Sequence, residues 1–535
     1  MSNKFILFFL AAFCSYSLLS QDLKTTEIKV VEGFVPEIPE ATRLNQKASF
    51  QDTVIAITEQ EYILVEEKLN SNYKIKPLNP AKVKNEKPSS FNPFEFYLIG
   101  GNLVRLKTIY NSTREVNSAY GASMSYNSKL FKVNSRKANS SFSKLHLYFK
   151  KNISKHIITT NLDFEKNSGY TYGNEKFIDE NNFKTRFSYS KLSFKIYNKV
   201  LESKKLKYNT TFFISDLNEF SENRIHLSTL MNKEIKNLPF SVDFQLDNYM
   251  NYNSKQNIVS LEAQSIQIIS ISPSVSLQKF DIDFDVGIGV DYESDGGGLD
   301  VFPSFIAKKE LVKDILLIAA GIQDNKYRNT FKSLSDENLY IHNQGTNQII
   351  IANDTVLDLK STEAKEFFVS MKNVLSKDEV FFGKLSLAKI ENQQVFELNN
   401  NRFLVSYLDV AQLHIESEYE RKINNIVDFS FAADYYYWKE KLPHKSNLVI
   451  GIASSIDLRN KIILNPSLNY FSKRYDGVDQ FLSPIMHINL HVDYKYSKGL
   501  TAYLQLKNIN NSTNPFWKDY QSIGFHGAFG ISYSF

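Results

Sequence analysis

Cysteine is almost absent. The chain of 535 residues holds one, Cys14, and it lies in the first twenty positions. Beyond the leader there is no thiol nucleophile, no thiolate metal centre and no disulfide framework to consider. Long apolar runs are missing too. Nothing reaches the roughly 20 residues a membrane helix needs, so any crossing of a bilayer has to be made by strands. There is no block of basic residues, and the formal net charge is only +5, which gives no footprint for nucleic acid. A nucleophile elbow, a phosphate-binding glycine loop and a His-Glu-x-x-His helix are all lacking, so the chain is expected not to be an enzyme and to carry no cofactor. Tryptophan is rare at 2 residues, against 41 Phe and 30 Tyr. Many aromatics in a chain of negative mean hydropathy is unusual for a helical membrane protein. It suits a barrel with one face in lipid and the other in a wet lumen.

The start reads as a leader. Lys4 precedes the apolar run Phe5–Phe13, and Ser20 supplies a small residue before Gln21, which predicts a secretory signal peptide over 1–20. A lipoprotein reading would acylate Cys14, with bulky Phe13 placed against it. Residues 21–92 differ in texture. Pro36, Pro39, Pro77, Pro80, Pro88 and Pro93 interrupt a Lys- and Glu-rich stretch, which predicts a mostly extended periplasmic segment.

From 93 to 535 the pattern becomes period two. Ile488, Leu490, Val492 and Tyr494 alternate with His487, Asn489, His491 and Asp493. Leu500, Ala502, Leu504 and Leu506 alternate with Thr501, Tyr503, Gln505 and Lys507. The same holds for Val427 to Tyr437, for Leu145 to Phe149, and for Phe280 to Val290 against Asp281, Asp283 and Asp285. A charge facing lipid at mid-depth costs about 2–4 kcal/mol, so the charged parity must face a lumen. The final strand carries Phe529, Ile531, Tyr533 and Phe535 on one parity and stops on Phe535. Together these segments predict an all-β fold, a transmembrane antiparallel β-barrel of about 22 strands (about 18–22) in the outer membrane. Asn325–Lys360 lacks alternation and is expected to be a long outer loop with a short strand at Gln348–Ala352.

Candidate chemistry is sparse. Asp281, Asp283 and Asp285, with His487 and His491, are lumen-facing candidates. On a strand the two histidines stand about 13 Å apart, too far to share one metal ion, even with His526 nearby. Asp291–Gly296 opens like a calcium loop, but the twelfth position is Phe302 and no carboxylate closes the site. An acidic turn is the simpler reading.

The C-terminal run Val492–Tyr496, Asn508-Ile509-Asn510-Asn511, Trp517, Tyr520, Gly524 and Phe535 resembles the last strands of TonB-dependent receptors. Thr26–Val31 is similar to the energy-coupling box of that family. Phe34–Ala41 and Arg328–Asn338 resemble recurring stretches of plug-less outer-membrane barrels from Bacteroidota. The resemblance implies passage or binding of solutes at the outer membrane. The departure is the N-terminal plug, for which residues 21–92 are too short. The alternative is a structural or assembly component with a filled lumen. Expected partners are outer-membrane lipid, the barrel-assembly machinery reading the Phe529–Phe535 end, and another envelope protein bound through residues 21–92. A barrel of this size must also be stoppered, by residues 22–92, by the long loop or by a partner.

Overall fold

The computed structural model describes residues 92–535 except 113–116, 134, 174–183, 200–203, 219–221, 252–264, 295–296, 342–358, 400 and 425. The leader, the coupling-box stretch, Phe34–Ala41 and the strand expected at Gln348–Ala352 lie outside the described residues.

Twenty-two strands form one sheet in which each strand pairs antiparallel with the next in sequence. The first strand, Phe94–Gly101, also pairs with the last, His526–Ser534, from Glu95 opposite Ser534 to Gly101 opposite Ala528. The sheet therefore has no edge, the condition for surviving in hydrocarbon. The rings of Phe94 and Phe535 stack across this seam, with centroids 5.3 Å apart. Alternation placed several strands well: Val427–Trp438 and Leu500–Lys507 begin where the pattern begins.

A turn at Asn102 separates Phe94–Gly101 from Leu103–Asn111, with Gly101 at a φ of 133° that a side chain would strain. Two expectations are corrected. Phe280 and Asp281 are not strand residues. Both have left-handed φ, 57° and 56°, and make the two-residue turn before Ile282–Glu293. Asn325–Arg328 still belongs to the strand Leu316–Arg328, and the segment after it holds a helix, Phe331–Glu337.

The two ends of the barrel differ. At the end where the sheet starts and finishes, strands are joined mostly by tight turns such as Lys236–Asn237 and Lys377–Asp378. The long connections, among them 329–360, 472–484 and 508–525, all lie at the other end. Short turns on the periplasmic side and long loops outside are the arrangement of outer-membrane barrels. The strands Glu379–Asn399 and Arg402–Ile423 are far longer than a membrane crossing requires, and they carry the wall up to those loops.

One parity of the wall forms an apolar outer belt. Leu145, Leu147 and Phe149, Leu162 and Phe164, and Phe529, Ile531 and Tyr533 all stand exposed. Burying each such side chain is worth about 1.5–3 kcal/mol, so a belt that closes the whole circumference belongs in lipid. This is a transmembrane barrel.

Candidate functional site at the barrel mouth and lumen wall

Arg328–Asn338 folds as a stub of strand followed by the helix. Thr330 caps it: the Thr330 hydroxyl accepts from the Ser333 N–H at 3.0 Å, and the Ser333 hydroxyl answers the Thr330 N–H at 2.9 Å. The helix is short and would not hold alone. Two wall strands and a loop hold it. The Glu222 carboxylate, from the strand Glu222–Ile235, accepts from the N–H groups of Phe331 (2.7 Å) and Lys332 (3.2 Å). Lys332 Nζ lies 3.1 Å from Glu165 on the strand His156–Tyr170. Glu337 accepts from Lys445 Nζ at 2.6 Å.

Its apolar face supplies the centre of the largest buried cluster. Phe331, Leu334 and Ile341 pack with Ala138, Tyr172, Phe187, Leu217, Phe396, Phe403, Val405 and Tyr520. These residues come from opposite sides of the wall, so the cluster reaches across the lumen at the end that carries the long loops. Three tyrosines from three different loops bind the cap together. Tyr340 stacks on Tyr520 at 3.9 Å, and Tyr172 stands edge-on to both. The Tyr172 hydroxyl donates to the Gln521 carbonyl at 2.9 Å, and that of Tyr520 donates to the Asn401 carbonyl.

The loop 508–525 is fastened by the Asn508-Ile509-Asn510-Asn511 turn. Asn508 Nδ2 donates to the carbonyls of Ser512 and Ile523, both at 2.7 Å, and its Oδ1 accepts from Ser512 N–H at 2.9 Å. Asn510 bridges back to the Met486 carbonyl and the Ile488 N–H. Asn511 Oδ1 accepts from the Phe525 N–H at 2.8 Å. Asparagine suits the first and last of these positions because Asn508 and Asn511 have φ near 50° and 53°.

Charges inside the cap are managed individually. His444 is 3% exposed, and its Nδ1–H donates to the Phe396 carbonyl at 3.1 Å. Burial pushes its pKa down to about 4, with Arg474 and Lys518 adding to the push, so the ring stays neutral. Arg474 is fully buried over the Phe516 ring and donates to the Ser483 and Pro515 carbonyls. For Asp476, burial acts upward, but Lys518 at 2.8 Å and the N–H groups of Val478 and Gln480 outweigh it and hold the pKa at about 2.

Below the cap, the residues singled out by alternation do not converge. Asp285 accepts from Ser276 Oγ (2.6 Å) and Lys308 Nζ (2.8 Å). Asp283 lies opposite Gln278 and Lys308 in register, while Asp281 is in the turn. His491 Nε2 lies 2.7 Å from Asp493, and its ring stacks on Tyr503. His487 sits opposite Asn469, and His526 donates to the Gly524 carbonyl at 2.9 Å. His491 thus stands apart from His487 and His526, and His487 and His526 have different partners. Phe529, Ile531, Tyr533 and Phe535 lie on the exposed parity of the last strand.

A carboxylate cluster that alternation missed gathers Asp300, Asp324 and Glu363, with oxygens within 4.8 Å of one another. It assembles where the ladder between Gly298–Val312 and Leu316–Arg328 is paired only from Phe305 downward, close to Pro303, which has no N–H to donate. Lys365 lies 2.5 Å from Glu363, and Lys326 and Arg328 pair with nearby Glu293 at 3.4 and 2.8 Å. Both Asp324 carboxylate oxygens and Asp300 Oδ2 are buried without a hydrogen-bond partner among the described residues, so a cation meets only one of the three acids there.

No family model and no curated protein matches the sequence. Solved structures do. The ferric enterobactin receptor PfeA of Pseudomonas aeruginosa in complex with BCV-L6 matches with a TM-score of 0.62 at 10% identity, over 83% of this chain and 81% of that one. The siderophore receptor PirA from Acinetobacter baumannii gives 0.61 at 11% identity, over 83% and 80%. The FrpB iron transporter from Neisseria meningitidis gives 0.62 at 10% identity, over 84% and 82%. At these identities the likeness is one of fold: this chain has the barrel architecture of outer-membrane receptors.

Proposed function

We propose that this protein is a gated outer-membrane barrel that binds or passes solutes without covalent chemistry, its mouth closed by its own loops. The observation that carries the reading is the buried cluster that runs across the lumen from Phe187 and Leu217 through Phe331 and Leu334 to Phe403 and Tyr520. An open porin has no use for such a cluster, since barrels of 16 to 18 strands already leave an aqueous channel. A receptor that admits one bulky solute and otherwise keeps the permeability barrier does. The receptor barrels it resembles are named for ferric enterobactin, siderophores and iron, so ferric siderophores are the first solute class to test here. The plug-less character, the affinity with Bacteroidota barrels, docking through residues 21–92 and recognition of the Phe535 end by the assembly machinery belong to this proposal. Their support is the sequence stretches that carry them.

The same cluster favours a second reading, a scaffold whose lumen is permanently filled. Liposome swelling separates the two. A gated barrel in liposomes stays tight to sugars until residues 331–341 are deleted, and then swells. A deletion variant that inserts as a stable barrel and remains tight overturns the gated reading and leaves the scaffold.

A further inference from the structure

We propose that the lumen carries an anion pocket at the end opposite the cap, built to take a phosphoryl group. The pocket is a cavity of about 480 Å³ whose lining includes Thr159, Lys195, Tyr197, Lys207, Asn209 and Asn232, with Leu230 as an apolar wall. Its direction follows from strand parity. Thr159 shares parity with Glu165, which pairs with the cap helix through Lys332. Lys195 and Tyr197 share parity with Phe187 and Tyr189, which pack against the cap. Lys207 and Asn209 share it with Leu217, another member of the cap cluster. Asn232 shares it with Glu222, which holds the helix N–H groups. All six side chains therefore face the lumen, at the end where the tight turns lie.

Neighbouring strands bring them together in rows. Thr159 lies opposite Lys195, Tyr197 opposite Asn209, and Lys207 opposite Asn232. Lys150 lies opposite Thr159 on its other side and adds a third ammonium to the row. The floor is braced by Asn198, whose Nδ2 donates to the Leu206 carbonyl at 2.6 Å and whose Oδ1 accepts from the Tyr208 N–H at 3.1 Å. This clamp fixes the spacing of the two strands that carry Lys195 and Lys207.

The balance of charge identifies the ligand. No carboxylate lines the cavity, and neither Lys195 nor Lys207 makes an ion pair among the described residues. Two acids lie beside it: Asp243, opposite Leu230 and bonded by Gln245 Nε2 at 3.2 Å, and Glu234, on the same parity two residues beyond Asn232. Two ammonium groups, each a point charge with three donors, match a phosphate group, mono- or dianionic, with oxygens pointing several ways. A flat carboxylate would favour the fork of an arginine, and the pocket has none. The amides of Asn209 and Asn232 and the Thr159 hydroxyl supply neutral partners. The volume admits more than inorganic phosphate, so a phosphorylated solute and a phospholipid headgroup meet the same chemistry. This site is separate from the gate and stands whether or not the cap opens.

The test uses the full chain, refolded in non-ionic detergent and titrated calorimetrically with pyrophosphate at low ionic strength. A second arm places it in nanodiscs of phosphatidylcholine with increasing phosphatidylglycerol. The variant is Lys195→Gln with Lys207→Gln. Lys377→Gln, an exposed turn lysine with 90% side-chain exposure, is the control. We expect saturable binding that weakens at least tenfold in the double variant, survives in the control, and falls less steeply with salt once the two charges are gone. Saturation with pyrophosphate assigns free phosphorylated solutes, and saturation only with phosphatidylglycerol assigns a lipid headgroup. Equal binding by wild type and double variant, or no saturable binding of either probe, overturns the proposal.

Discussion

Leu334 is the most direct handle on the proposed gate. It is 1% exposed, at the centre of the cap cluster, and touches no ion pair of the helix. Truncation in Leu334→Ala removes buried methyl groups and leaves a cavity whose walls collapse only in part, a loss of about 2–5 kcal/mol. Glu222, Glu165 and Lys445 still tether the helix, so the loss falls on docking rather than on the barrel ladder. A change of about 1.4 kcal/mol is tenfold in an equilibrium constant, so the open fraction should rise from about 30-fold to a few thousand-fold. Single-channel recording in a planar bilayer reads this as the fraction of time spent conducting. Leu145→Ala, at an exposed belt position, controls for general loosening and should leave that fraction unchanged. If Leu334→Ala inserts, keeps its heat-resistant barrel and conducts no more often than wild type, the apolar cluster is not what holds the mouth shut.

Two further outcomes are expected. Deleting Phe535, which stacks on Phe94 at the seam, should lower the amount of chain in the outer membrane more than the amount synthesised, measured by fractionation and blotting; equal membrane levels would count against its role. The cap should also weaken in acid. His444 has a folded pKa of about 4, below the ordinary value of about 6.5, so between those pH values the unfolded cap binds a proton that the folded cap refuses. Stability is then complete above about pH 6.5 and is lost as pH falls toward 4, by up to about 3 kcal/mol. Protease sensitivity of the loops at pH 7 and pH 4.5 reads this, and His444→Gln should flatten the difference.

The wall was legible in the sequence because lipid enforces a rule on every second residue. Leu500–Lys507 and Val427–Trp438 show it without interruption, and the long ladders that close the barrel follow from the same rule. Legibility stops where lipid stops. In Glu379–Asn399 a bulge sets Glu391 and Asn392 against Asp409 alone and shifts the alternation, so the upper half of that strand reads as noise. The seven residues of the cap helix are too few to display a helical period. The cap itself has no periodic signature: Tyr172 and Tyr340 are ordinary loop tyrosines, and Tyr520 stands out only by resemblance, until the barrel brings the three together. Arg328–Asn338 stood out by resemblance, and its place in the structure gives the physical role that the resemblance alone left blank. The carboxylate cluster failed to show because Asp324 and Glu363 meet Asp300 only across a broken ladder.

The composition of the cap also sets a schedule for assembly. Its members run from Ala138 to Tyr520, so the cluster has some of the longest sequence separations in the molecule. Contacts of that kind repay their loop-closure entropy late, after the walls that carry them are in place. Tyr520 arrives on the loop between the last two strands, next to the seam that joins Gly101 to Ala528. The stopper can be completed only when the ring is complete. A half-built barrel has an unsealed centre but also an open side. A finished one closes both at the same step, and the membrane never faces an intact, unguarded hole.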